Sequence, residues 1–243
     1  MKIENAVVLV TGANRGLGRA LVRASLAAGA KRVYAGAREP KNLAELLERG
    51  EGRVVGLELD VTDAASLGRA AERAPDVSLL VNNAGVLASF GLLTSEASAI
   101  AQDFAINFYG VLATTKAFLP ALERSAQQGE AALVNVLSVV SLASMPALGG
   151  YSASKAAAAS ITQGLRVDLR ARRVGVHGVF AGAIDTDMTK SMDMAKASPS
   201  DVARAILEGV ERGEEDIFPD PISRQMSEIW RNNPKQVERQ LGG

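Results

Sequence analysis

The chain has 243 residues, 47% of them hydrophobic, and its 27 Lys plus Arg balance 27 Asp plus Glu. That length suits one α/β domain with a sizeable core, and the even charge carries no signature of a nucleic-acid or membrane surface. With no cysteine and one histidine, His177, a disulfide framework and a thiol nucleophile are excluded, and no metal site is expected.

In chain order, Ala6-Val7-Val8-Leu9-Val10 reads as a buried strand, running into Thr11-Gly12-Ala13-Asn14-Arg15-Gly16-Leu17-Gly18 and a helix over 16–28 that stops at Gly29. Glycines allow a tight turn and close approach of a ligand, and the free N–H groups of the helix start favour a pyrophosphate. A purely structural turn is the alternative; the strand-to-helix placement favours the dinucleotide. A second strand at 32–37 ends on Arg38, where an acidic residue would hydrogen-bond a ribose 2′-hydroxyl. Arg38 can instead grip a 2′-phosphate with Arg15 approaching from the other side, so NADP(H) is preferred over NAD(H); Glu39, one register away, is the competing contact.

A helix at 41–49 and a strand at 54–58 lead to Asp60-Val61, followed by Thr62 and Asp63, which can cap the helix at 64–74. The strand 79–82 runs into Asn82-Asn83-Ala84-Gly85, where Gly85 permits backbone to approach a ribose. A helix at 96–122 carries Asn107 in an apolar stretch, where asparagine has little local reason to sit. The strand 132–137 ends on Ser138, whose hydroxyl can hold a carbonyl oxygen as negative charge develops on it, with Ser141 as a nearby competitor. On the helix 150–170, Tyr151 and Lys155 are four apart and share a face. A nearby ammonium favours the phenolate, so Tyr151 is a candidate general acid or base with Lys155 as its tuner. Strands at 175–180 and near Ile217-Phe218 flank a helix at 199–211, with Ser198 as cap, Pro199 in its first turn and Gly213 beyond its end. Strands alternating with helices imply a doubly wound parallel sheet of about seven strands with helices on both faces, a single-domain Rossmann fold spanning 1–243, its ligand beyond the carboxyl ends of the strands.

Thr-Gly-x-x-x-Gly-x-Gly at 11–18, Asn82-Asn83-Ala84-Gly85, Asn107, Ser138 and Tyr151-x-x-x-Lys155 resemble the short-chain dehydrogenase/reductase family in its compact single-domain branch. The resemblance covers nearly the whole chain to about Phe218. It implies an oxidoreductase using NADP(H) on a small carbonyl or alcohol, with Tyr151 as acid/base, Ser138 selected over Ser141, and Asn107 holding a water that connects Lys155 to solvent. It also implies that Gly12, Asn14, Arg15, Gly16, Leu17, Gly18 and Arg38 hold the cofactor with Asp60, Val61, Asn83, Ala84 and Gly85. In such proteins Asp60 accepts from the adenine amino group, Lys155 holds the nicotinamide ribose, and Asn82 ties strands together. NAD-linked alcohol oxidation and a noncatalytic nucleotide sensor are the rival functions.

The chain departs from the family at Ala181-Gly182, where Pro-Gly is common. Ile184 and Thr186 are retained as carboxamide and phosphate contacts. The segment 187–198, with Met188, Met192 and Met194, is expected as a substrate lid or a short helix packed on the body. Leu87, Phe90, Leu142 and Met145 are expected to line an apolar pocket for a small ketone or aldehyde. Residues 219–243 form a C-terminal extension that edges the pocket or an interface. Association as a homodimer or homotetramer is expected through the helices at 96–122 and 150–170. No run approaches the roughly 20 apolar residues of a membrane span and no signal peptide precedes the first strand, so a cytoplasmic location is expected.

Overall fold

The computed structural model describes residues 1–242. Seven strands, β1 Val7–Thr11, β2 Arg32–Ala37, β3 Val54–Glu58, β4 Leu79–Asn82, β5 Ala131–Val136, β6 Val174–Val179 and β7 Asp216–Ile217, form one sheet. Its order is β3-β2-β1-β4-β5-β6-β7, and every pairing is parallel. Strands of this kind, buried on both faces, read as continuous apolar runs rather than alternating ones, and β1 is buried at all five positions.

Among the described residues nine α-helices surround the sheet: α1 Gly16–Ala27, α2 Ala44–Arg49, α3 Ala64–Arg73, α4 Ala97–Phe104, α5 Val111–Gln128, α6 Gly149–Arg170, α7 Pro199–Arg212, α8 Pro221–Asn232 and α9 Pro234–Gly242. One core layer joins Leu21 and Val22 of α1 and Ile206 and Val210 of α7 to Val8, Val10 and Val134 of the sheet. The opposite layer joins Leu67 of α3, Phe118 and Leu122 of α5 and Leu169 of α6 to Leu9, Leu80 and Leu133. Adjacent strand residues alternate between the layers, as the period of two requires. The reversal of strand order between β1 and β4 opens a crevice beyond their carboxyl ends.

The elements expected from sequence are present within a residue or two, apart from two helices. The one expected at 41–49 opens as a 3₁₀ turn, Pro40–Leu43, with α2 starting only at Ala44. The second is the long helix expected at 96–122. It is divided into α4 and α5 by a π-helical turn, Ala105–Gly110, and runs on to Gln128. Asn107 therefore lies in a widened turn rather than mid-helix. Such turns are frequent at functional sites. Ser198 occupies the N-cap of α7 but bonds Ser200 Oγ at 2.8 Å instead of capping the backbone. His177 packs in β6 with Nδ1 at 2.6 Å from the Glu214 carbonyl, and burial holds its pKa below the usual range. The segment 187–198 is neither strand nor packed helix: one 3₁₀ turn, Asp187–Thr189, leads into a largely exposed loop. The described part of the extension, to residue 242, is mostly helical, forming α8 and α9.

Candidate active site

Thr11, at the end of β1, ties the glycine turn to β4. Its hydroxyl accepts the Asn83 and Ala84 N–H groups at 3.0 Å each, while Asn83 Nδ2 donates to the Thr11 carbonyl at 2.9 Å. The Asn83 side chain thus braces the turn rather than pointing to a ligand. Gly12 and Gly16 adopt positive φ of 66° and 51°, which glycine alone takes without strain. Arg15 is the N-cap of α1 without a side-chain cap bond, and the first turn has no acidic residue. The leading N–H groups and the positive end of the helix dipole are therefore left for an anion. Asn14 helps shape the turn, its carbonyl accepting from Arg19 at 2.7 Å.

Around this turn lies a cleft of about 550 Å³, lined by Leu17 and Gly18, Arg38, Asp60 and Val61, Ala84 and Gly85, Ser138, Tyr151, Lys155, Ile184 and Thr186. All the catalytic and cofactor-binding residues expected from sequence border it except Asn107, which is fully buried. Arg38 is exposed after β2 and forms no salt bridge among the described residues. Glu39, the competing contact, pairs with Lys41 at 3.1 Å, and the lysine holds its carboxyl below the usual range. Arg15 is exposed and lies 3.5 Å from Asp187 across the cleft. Asp60 accepts from Thr62 N and Oγ1 at 2.9 and 2.7 Å, whereas Asp63 caps α3 through Ala65 N at 2.9 Å. Burial raises the Asp60 pKa, but the Thr62 donors and the Arg38 charge together leave it below the usual value. Thr186 reaches over the glycine turn: a Cβ on Gly16 would lie 3.0 Å from its Cγ2.

The other end of the cleft gathers Ser138, Tyr151 and Lys155. Ser138 stands at the end of β5 as the N-cap of a short 3₁₀ turn, its carbonyl engaged by Ser141 Oγ. Lys155, 4% exposed, donates to the Val136 carbonyl at 2.7 Å, and its ammonium lies 5.8 Å from the centre of the Tyr151 ring. Burial pushes the Tyr151 phenol up to about 12, against a hydrogen-bonding contribution from Ser138 and with the Asp103 charge adding to the rise. Burial pulls Lys155 down to about 8, against the Asp103 charge. From sequence a nearby Lys155 ammonium is expected to lower the phenol pKa; here the ammonium turns to the Val136 carbonyl, and burial sets the direction of the shift, upward.

Asn107 is fully buried, with Oδ1 accepting Val86 N at 2.9 Å and Nδ2 donating to the Val86 carbonyl at 2.8 Å and to Ser154 Oγ at 3.0 Å. Its amide is committed to protein partners, joining the β4 loop to α6. Asn82 ties strands as expected, donating to Asn135 Oδ1 at 2.9 Å and Thr115 Oγ1 at 3.0 Å. Of the residues expected to line a substrate pocket, Leu87, Phe90, Leu142 and Met145 do not border the cleft. Gln102 and Ile106 from α4 and the following turn, with Met188, border it instead.

Two acidic residues escaped the sequence reading. Asp103, fully buried on α4, binds Ala88 and Ser89 of the β4 loop. Its sequence signal was an acid inside an amphipathic helix, four residues before Asn107. Asp220, 2% exposed, caps α8 through Ser223 N at 2.8 Å and accepts the Gly182 N–H at 2.8 Å. The Asp220-Pro221-x-Ser223 run is a legible helix start, but its contact with the turn after β6 is tertiary. The C-terminal extension thus braces the turn that lacks the family's proline. Asp220→Ala is expected to destabilise the fold by about 2–4 kcal/mol, a lost cap plus an unsatisfied buried N–H. Urea unfolding checks this, and a loss under about 0.5 kcal/mol would show that the cap is dispensable.

Residues 6–197 match the short chain dehydrogenase family profile. A short chain dehydrogenase from Burkholderia cenocepacia J2315, solved with NADP, superposes with a TM-score of 0.92 at 34% identity, covering 99% of each chain. One from Burkholderia phymatum, solved with NAD, gives a TM-score of 0.85 at 25% identity over 97% of this chain and 96% of that one. An alcohol dehydrogenase from the archaeon Thermococcus sibiricus, complexed with 5-hydroxy-NADP, gives 0.77 at 27% identity over 88% and 95%. With its glycine turn at the β1–β4 crevice and Ser138, Tyr151 and Lys155 gathered at the far end of one cleft, the chain belongs to the short-chain dehydrogenase family and is an oxidoreductase of that family.

Proposed function

We propose that the protein is an NADPH-dependent carbonyl reductase, acting in reverse as an alcohol dehydrogenase, on a small apolar ketone or aldehyde. The observation that carries this reading is one cleft with an uncapped helix N-terminus and a free Arg38 at one end and Ser138, Tyr151 and Lys155 at the other. The glycine cradle and the open N–H groups of α1 fit a pyrophosphate, and the cleft volume suits a small ligand. Arg38 and Arg15 would hold the 2′-phosphate, Asp60 and Val61 the adenine, Ala84 and Gly85 the adenosine ribose, Lys155 the nicotinamide ribose, and Ile184 and Thr186 the carboxamide and phosphate.

When bound, the nicotinamide supplies a hydride to the carbonyl carbon. Ser138 and Tyr151 donate hydrogen bonds to the carbonyl oxygen, and Tyr151 passes it a proton. A phenol held near 12 is fully protonated at neutral pH, the form a reductase needs before each turnover. Lys155, charged below about 8, stabilises the phenolate left behind. Buried Asn107 keeps the β4 loop and α6 in register, so that Lys155 stays against the cleft. The exposed loop at 187–198, with Met188 at the cleft edge, is read as a substrate lid. A homodimer or homotetramer through the α4–α5 segment and α6 belongs to the same reading, supported by the exposed Tyr109 of the π turn and Val167 of α6. No helix among the described residues is long and apolar enough to cross a membrane.

The test follows NADPH absorbance with a panel of aliphatic and aryl ketones, aldehydes, ketoesters and quinones, with NADH in parallel. Substrate-dependent loss of signal is expected, and failure across the panel with both cofactors would remove the reductase assignment. Arg38→Ala is expected to raise KM for NADPH by about 10–10²-fold and leave that for NADH unchanged, the loss of a charge-assisted contact. Equal effects on both cofactors would take Arg38 away from the 2′-phosphate.

A further inference from the structure

Asp103 is the one fully buried carboxylate beside this site that the chemistry above leaves without a task. Its Oδ1 accepts the Ala88 N–H at 2.8 Å, and its Oδ2 accepts the Ser89 N–H at 3.2 Å and the Ser89 hydroxyl. Ser89 is itself fully buried and lies against α6: a Cβ on Gly150 would stand 2.3 Å from Ser89 Oγ, next in sequence to Tyr151. Asp103, Ser89 and Gly150 therefore stack α4, the β4 loop and α6 without a gap. One turn on, Asn107 holds Val86 of the same loop and Ser154 of the same helix. Together the acid and the amide clamp the segment that starts at the cleft residues Ala84 and Gly85.

Neutral donors satisfy the carboxylate's lone pairs but not its charge, and a buried charge without a counter-charge is costly. Among the described residues Lys155 is the only buried lysine or arginine, and it lies on α6, which packs on α4. The remaining ionisable groups on the packed elements are poor candidates. Glu96 before α4, Tyr109 of the π turn and Lys116 of α5 are exposed. Farther along α5, Glu123 pairs with Arg172 and Arg124 bonds the Pro75 carbonyl. Helix α6 contributes Tyr151 beside Lys155 and, in its last turns, Arg166 paired with Asp216 and the exposed Asp168 and Arg170. Among charged groups, Asp103 alone perturbs both Tyr151 and Lys155.

We propose that Asp103 is a positioning residue: it clamps the β4 loop and serves as the remote counter-charge that keeps Lys155 an ammonium inside the protein. This deepens the reductase reading, since a neutral Lys155 could not stabilise a phenolate. The arrangement separates the charges by protein rather than joining them in an ion pair, and the ammonium stays at the cleft wall on the Val136 carbonyl.

The test titrates Lys155 in the cofactor-free protein by heteronuclear NMR of its side chain, which needs no substrate and so stands apart from the outcome of the activity panel. A buried lysine without a counter-charge falls to about 5–6. Wild-type Lys155 is expected near 8; titration near 6 in wild type would overturn the proposal without any variant. In Asp103→Asn the titration is expected to drop by on the order of one pH unit. The alkaline limb of kcat/KM for reduction should move down with it. Ser89→Ala keeps the charge while loosening the clamp, so KM should rise with the Lys155 titration unmoved. A folded Asp103→Asn whose Lys155 titrates as in wild type would reduce Asp103 to a loop anchor and sink the proposal.

Discussion

Tyr151→Phe is expected to lower kcat for carbonyl reduction by about 10²–10⁴-fold, the range for loss of a positioned general acid. The substitution removes one oxygen and leaves the ring that fills the part-buried site, so stability should change little. NADPH binding, measured by fluorescence titration, should stay close to wild type because the glycine turn and Arg38 are untouched. The sign of the pH dependence follows from the shifts. With the phenol near 12, the acid form persists through neutral pH, and reduction should be flat there, then fall as Lys155 loses its proton near 8. Alcohol oxidation needs the phenolate, so its rate should climb with pH across the neutral range. A phenylalanine variant retaining most of the wild-type rate would remove Tyr151 from the chemistry.

The second large effect lies at Gly18→Ala. An added Cβ would stand 2.1 Å from the Gly12 carbonyl oxygen and 2.7 Å from Asn83 Nδ2. Neither neighbour can retreat. The carbonyl belongs to a turn at positive φ, and the amide is held by the Thr11 carbonyl at 2.9 Å. Helix α1 must then move away from β1, which costs about 3 kcal/mol or more by overpacking against backbone. On the proposed reading the N–H groups at the start of α1 hold the pyrophosphate, so NADPH affinity should fall by about 10²-fold or more. Calorimetric titration and thermal unfolding read the two losses separately. Gly68→Ala in α3 is the control, since nothing lies within 4 Å of its Cβ. It should stabilise by about 0.8–1 kcal/mol through helix propensity. A Gly18→Ala protein with wild-type NADPH affinity would show that the turn does not depend on this close approach.

The Burkholderia cenocepacia neighbour was solved with NADP and the Burkholderia phymatum one with NAD, so fold alone does not choose between them. The choice rests on local charge. Arg38 is unpaired among the described residues, Arg15 faces the same cleft with Asp187 at 3.5 Å, and Glu39 is occupied by Lys41.

Periodicity and punctuation were enough to read the strands, because both-faces-buried strands are continuous apolar runs bounded by glycines and charges. The spacing of Tyr151 and Lys155 was legible for the same reason: a helix converts four residues into one face. The glycine turn, Ser138 and Arg38 were legible because each stands directly at a strand end. The π turn was not, since a helix that widens by one residue leaves the amphipathic pattern almost intact. Helices α8 and α9 carried start signals at Pro221 and Pro234 but lay beyond the recognised motifs.

The sequence by itself determined the layer architecture, the cleft's position and the identity of its chemical groups, all of which depend on local periods and on residue type. Only the tertiary structure decided how those groups are charged and held. Tyr151 rises and Lys155 falls because burial withdraws water from both, and that burial is set by elements far apart in the chain. Asp103 meets Ser89 across 14 positions and Asp220 meets Gly182 across 38, contacts that no local pattern encodes. Solvation and long-range pairing are properties of the packed whole, which is why the site's residues could be read in advance and their electrostatics could not.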